Sequence, residues 1–202
     1  EIRALVGMGR LDAVDSLLAV LGALPPGPGS DPALHPIYAA WHLKAHGYDA
    51  EAEALFDEAL EEFPSRTRFT DPADLSYYMG RSYYRARRWS EAEAAFRELS
   101  PESSNSLDLV TLFGVTLAKL GDREGALAMK ERAGTFERTN IRGRHIQAQA
   151  VITAALGERD EAIRLLQEAF ANGAVYGTWI HTEPAFDDLR GYPPFESLVR
   201  PR

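Results

Sequence analysis

GYDAEAEALF, Gly47 to Phe56, is a phrase that the chain states five times in altered form. GRLDAVDSLL begins at Gly9, RRWSEAEAAF at Arg87, GDREGALAMK at Gly121 and GERDEAIRLL at Gly157. Its anchor residue, Val14, Ala52, Ala92, Ala126 or Ala162, recurs at intervals of 38, 40, 34 and 36 residues. A period in this range marks a repeat architecture. Each phrase reads as the turn of a helical hairpin: glycine supplies the left-handed conformation that stops one helix, and the small anchor lets the next helix approach closely. Asp49, Ser90 and Asp160 are candidate caps, with Ser90 and Glu93 fitting a capping box. Upstream starts are marked by Asp71-Pro72, an N-cap followed by a proline at the first helical position, and by Ser106.

Between the turns, apolar residues fall at helical spacing, as in Met79, Tyr83 and Ala86, or Val110, Phe113, Leu117 and Leu120. No segment sustains period-two alternation. Short helix pairs cannot each close a core, so they must stack on their neighbours. The expected fold is all-α, a solenoid (α-α superhelix) of about five stacked antiparallel helix pairs.

These residues resemble the tetratricopeptide repeat family. Met79-Gly80, Tyr83, Trp89, Ala92 and Phe96 match its pattern, as do Ala40, Gly47, Ala52, Phe56, Ala59 and Pro64 in the unit before. Phe113-Gly114, Leu117, Gly121, Ala126 and Ala133 form a third match, and Ala150, Gly157, Ala162 and Ala169 a fourth. The first unit keeps Gly9, Leu11, Val14, Leu18 and Pro26, its leading helix cut short. The resemblance implies an array over residues 1–176, with units near 1–26, 33–64, 73–101, 107–138 and 143–174. Two connections, Leu24 to Pro36 and Pro64 to Pro72, exceed the family's tight turn, and Pro36 leaves the start of the next helix open. From Gly177 the chain departs from the repeat and looks like the closing segment of bacterial-type arrays, a cap over 177–202 that lays Phe186, Leu189, Phe195, Leu198 and Val199 across the last hairpin.

Composition excludes several functions. The 202 residues contain no cysteine, which removes disulfides, thiolate metal sites and thiol nucleophiles. A net charge of −8 disfavours a surface built for nucleic acid or anionic lipid. Apolar runs such as Leu17 to Leu24 are far below the roughly 20 residues of a membrane span. His42 and His46 share a helix face, but neither the glutamate of a zinc-hydrolase motif nor a third ligand accompanies them. The carboxylates between Asp49 and Phe63 read as the solvated face of an amphipathic helix, and the glycines form no phosphate loop. The expectation is therefore no enzyme, no cofactor and no metal. The chain starts as if in mid-helix without a signal pattern, which reads as a fragment of a longer cytoplasmic protein.

In tetratricopeptide arrays the first helix of each pair lines a concave face that holds a peptide or a partner helix. Carried over to this chain, the resemblance places Tyr38, Trp41 and Lys44 there, then Asp74, Tyr77, Tyr78, Arg81, Tyr84 and Arg85, then Thr111, Val115 and Lys119, and finally Arg144, Gln147 and Val151. The stretch SYYMGRSYYRARRW, Ser76 to Trp89, would then be half core, through Met79, Gly80 and Tyr83, and half lining. An aromatic and basic lining in an acidic chain fits a protein or peptide partner with carboxylates and apolar side chains. The family's clamp for chaperone tails is not matched, since Trp41, Tyr78 and Leu112 fall at its positions. The resemblance implies a non-enzymatic protein-protein interaction scaffold. The alternative is a regulatory or oligomerisation module at the C-terminus of an enzyme or transcriptional regulator, forming a homo-oligomer.

Overall fold

The computed structural model describes residues 1–23, 31–136 and 141–200; Pro26 and the first part of the connection from Leu24 to Pro36 lie outside them, as do 137–140 and 201–202. Among the described residues the chain is helical throughout, with helices packed in adjacent pairs. It divides into two compact units, Glu1–Ala86 and Arg87–Arg202.

The first unit holds α1 (Ile2–Gly7), α2 (Leu11–Ala23), α3 (Leu34–Ala45), α4 (Asp49–Arg66) and α5 (Pro72–Arg85). Short turns force α1 with α2 and α3 with α4 into antiparallel neighbours. One core cluster joins Leu34, Ile37 and Ala40 of α3 to Phe56, Leu60 and Phe63 of α4, with Met79 and Tyr83 of α5 packed against it. A second joins Ala39 and Leu43, on another side of α3, to Val6, Val14 and Ala52. Helix α3 thus buries residues on two sides, and short alanines at 39 and 40 make room for both neighbours.

The second unit holds α6 (Trp89–Arg97), α7 (Leu107–Lys119), α8 (Arg123–Gly134), α9 (Arg144–Ala155) and α10 (Arg159–Ala171), then two short 3-10 segments, Thr178–His181 and Pro184–Leu189, and α11 (Pro193–Val199). Helices α7 and α8 pair, as do α9 and α10, and α9 also packs on α7 and α8.

The repeat anchors do what their size predicts. Val14 is 2% exposed, and Ala52, Ala92, Ala126 and Ala162 are fully enclosed. Gly9, Gly47, Gly121 and Gly157 take φ between 69° and 85° at the hairpin turns. The corresponding residue of the remaining phrase, Arg87, adopts φ 61° without being glycine, a conformation that costs an L-residue about 1 kcal/mol.

The capping expectations divide. Asp71 accepts hydrogen bonds from the amides of Ala73 (2.8 Å) and Asp74 (3.3 Å) with Pro72 at the first helical position, and Ser106 accepts from Leu109 at 3.3 Å. Ser90, Asp49 and Asp160 do not cap. Their helices begin one residue or more earlier than a cap at these positions requires, at Trp89, Asp49 itself and Arg159, with no side-chain cap bond. Asp49 and Asp160 instead place carboxylates in the first turn, where the helix dipole favours them. Asp122, not singled out by the sequence, caps α8 through the Gly125 amide at 2.9 Å. Pro36 falls in the first turn of α3, where its missing N–H has no helical partner to lose. Helix α4 runs through Pro64 to Arg66 and so outlasts the expected end of its unit. Its carboxylates Glu51, Asp57, Glu58 and Glu61 are exposed opposite buried Phe56 and Leu60, the solvated face foreseen.

Candidate interaction surfaces

In the first unit, α3 and α5 bring most of the expected lining residues onto one cluster. Phe69, in the connection before α5, stacks flat on Tyr78 with ring centres 3.9 Å apart, and Tyr77 meets Tyr78 edge-on at 5.3 Å. Tyr38 and Trp41 lie one helical turn apart on α3, with rings 6.4 Å apart. The guanidinium of Arg85 rests over both, 4.4 Å from Tyr38 and 4.6 Å from Trp41. Tyr38, Trp41, Tyr77, Tyr78 and Arg81 are half-buried, each with part of its surface open to solvent.

Three residues expected in the open lining sit elsewhere. Tyr84 and Arg85 are 2% and 4% exposed and belong to the packing of α5. Lys44 turns to the start of α4, where its ammonium donates to Glu53 at 2.8 Å and pairs with Asp49 at 3.0 Å. The hydrogen bond to Glu53 is the main reason its pKa rises. Asp74 is exposed beside its capping residue.

His42 follows Trp41 on α3 and is held well below the ordinary histidine range. Burial, then the nearby charges of His46, Arg3 and Arg85, push it down to about 4. Its ring packs 5.4 Å from Trp41 and its Nδ1 is buried without a hydrogen-bond partner, while His46 Nδ1 lies 2.8 Å from the His42 carbonyl. The two imidazoles are therefore held apart in role, and no group of three or more metal-ligating side chains gathers among the described residues.

In the second unit the residues of α7 and α9 expected to form a lining are largely engaged within the unit. Val115 and Val151 are buried, and Thr111 turns its hydroxyl back to the Leu107 carbonyl at 2.6 Å. Arg144 pairs with Asp108 across the two helices at 2.7 Å; Gln147 is half-buried. The 3-10 segment Pro184–Leu189 packs on α9. From it, Asp188 accepts from Lys119 at 2.6 Å, and Asp187 accepts two bonds from the fork of Arg87, at 2.6 and 3.0 Å. Phe186 and Leu189 are fully enclosed.

No family model matches the chain, and no curated protein does. Among solved structures it is similar to MamA of AMB-1, at 15% identity and a TM-score of 0.43, over 85% of this chain and 94% of that one. So distant a likeness says nothing of what this chain binds.

The remainder of the tail packs on the last pair. Helix α11 packs on α10, the Tyr192 hydroxyl donates to Asp160 at 2.6 Å, and Tyr176 donates to the Val199 carbonyl at 2.8 Å. Sequence reasoning expected Phe186, Leu189, Phe195, Leu198 and Val199 to lie across the last hairpin; Phe186, Leu189, Phe195 and Val199 are buried, and Leu198 is only partly so. It did not foresee the carboxylate contacts of Asp187 and Asp188. The signal for them was Arg87, the one phrase-opening residue that is not glycine.

Proposed function

We propose that this chain is a protein-interaction module and that the α3–α5 face of its first unit holds a peptide or partner segment with carboxylate and apolar side chains. The observation that supports it most is the group of half-open rings, Tyr38, Trp41, Tyr77 and Tyr78, with Arg81 one turn along α5 from Tyr77 and the buried Arg85 holding Tyr38 and Trp41 from beneath. Aromatic rings and arginine give contact area and directed charge at little cost in side-chain freedom, the chemistry of interface anchors. No helix among the described residues is long and apolar enough to cross a membrane, and the side chains on this face are of the kind that bind protein rather than perform acid-base work.

The test is a displayed random-peptide selection against the full chain, followed by titration of the selected peptides. Selected sequences should be rich in Asp, Glu and aromatic residues. Tyr78→Ala with Arg81→Glu should weaken them at least tenfold. Because Tyr78 also stacks on Phe69, Tyr77→Ala with Arg81→Glu is the cleaner pair, with helicity and melting nearly unchanged. Affinity unaltered in both pairs would sink the assignment.

A further inference from the structure

We propose that the α7–α9 face between Arg87 and Lys119 is a recognition site for a segment in which an aromatic residue is followed by two carboxylates, and that Pro184–Leu189 of the same chain occupies it as a resident competitor. This site belongs to the second unit and stands independently of the surface on α3 and α5.

Four observations carry it. First, Pro184–Leu189 lies on α9, the first helix of the last pair, whereas α11 lies on α10, and the two segments meet through the rings of Phe186 and Phe195, 5.5 Å apart. The reach of Pro184–Leu189 to Lys119, at the end of α7, places it across two first helices rather than over the terminal one. Second, the anchoring is polar and directional. Arg87 grips Asp187 through both Nε and Nη2, and Lys119 takes Asp188. Both cations are mostly enclosed, with side chains 18% and 17% exposed, while the carboxylates are 30% and 58% exposed. The receptor side is thus built in, and the ligand side is the more open partner. Third, Arg87 holds the left-handed turn that glycine holds at positions 9, 47, 121 and 157. A strained backbone carrying a functional side chain is a pointer to a site, and the ion pair is what this side chain adds to the turn. Fourth, the segment carries bonds of its own besides those to Arg87 and Lys119: Glu183 caps it at the Ala185 amide, and Arg190 ties Asp187 to the His181 carbonyl.

A tethered segment competes at an effective concentration on the order of millimolar, so a partner carrying the same chemistry gains the site only when the resident segment is weakened or outnumbered. The test uses the full chain and a labelled peptide of residues 182–191, TEPAFDDLRG. The wild-type chain should bind it poorly. Asp187→Asn with Asp188→Asn should bind it at least tenfold more tightly, and hydrogen exchange at Ala185–Leu189 should quicken while α9 and α10 stay protected. Adding Arg87→Gly, which relieves the turn rather than disturbing it, together with Lys119→Ala should weaken that binding more than tenfold. The proposal falls if the peptide fails to bind the Asn variant, if binding ignores Arg87 and Lys119, or if α9 and α10 lose protection along with the tail, which would make the segment part of the core. Concentration-dependent exchange of tails between wild-type chains would equally overturn occupancy in cis.

Discussion

The guanidinium of Arg85 lies 4.4 Å from the centre of the Tyr38 ring, so α5 closes on α3 through a cation at a position only 4% exposed. A buried charge persists when its surroundings compensate for lost hydration, and the faces of Tyr38 and Trp41 supply part of that compensation. Arg85→Ala should therefore destabilise the first unit by about 2 kcal/mol. Arg85→Lys should recover only part, because an ammonium lacks the planar face that stacks on two rings. Urea unfolding monitored by tryptophan fluorescence measures both.

The stability of this unit should fall in acid through His42. Its folded pKa, about 4, lies below the 6.5 of an exposed histidine. The unfolded chain then binds a proton that the folded chain refuses, so the contribution is complete above pH 6.5 and is lost as pH falls from 6.5 towards 4. The whole shift corresponds to about 3 kcal/mol; since the ring is only half-buried, screening reduces this to about 1 kcal/mol. His42→Gln should flatten the pH dependence of the urea midpoint between pH 4 and 6.5. An unchanged slope in the variant would assign it to other groups.

Asp31 should be among the costliest polar residues to remove. It is 3% exposed and accepts from the Ala33 amide (3.0 Å), the Thr67 hydroxyl (2.6 Å) and the Arg68 amide (2.9 Å), tying the start of α3 to the connection that follows α4. Asp31→Ala leaves three donors short of an acceptor, a loss of about 3 kcal/mol. Thr67→Val should cost about 1 kcal/mol, and the double variant should cost less than the sum, since one lost bond is shared.

The features legible in the sequence were those with local causes. A glycine, a small anchor and a phenylalanine four residues later report on one turn and its two flanking helices, so the roles of Gly47, Ala52 and Phe56 follow from their spacing alone. That of Asp31 does not, because its partners lie 36 and 37 residues away and a lone aspartate before a proline looks like any other turn. Helical periodicity put Tyr77, Arg81, Tyr84 and Arg85 on one side of α5. It could not tell which of them α3 would cover, and the rings of Tyr38 and Trp41 cover Arg85. The contact of Arg87 with Asp187 spans 100 residues and left only an indirect trace, an arginine where a glycine was due.

In the second unit, Gly114 of α7 lets two other helices pack close against it. A β-carbon there would stand 2.7 Å from Ile152 Cδ1, on α9, and 2.9 Å from Met129 Cβ, on α8. The isoleucine end can turn aside, but the methionine β-carbon is fixed to its backbone, so α8 itself must move. Alanine would favour α7 as an isolated helix by about 1 kcal/mol, and overpacking costs about 1 to 3 kcal/mol. The two effects oppose each other, and the rigid contact decides between them. Gly114→Ala should destabilise the unit by about 1 kcal/mol net, and Gly114→Val, which adds volume without the helix gain, by about 3 kcal/mol. Met129→Ala cannot rescue Gly114→Ala, because the obstructing atom is one that alanine retains; Ile152→Ala should rescue only the share of the clash that belongs to α9. A double-variant cycle by thermal unfolding separates the two, and full rescue through Met129→Ala would contradict the packing described.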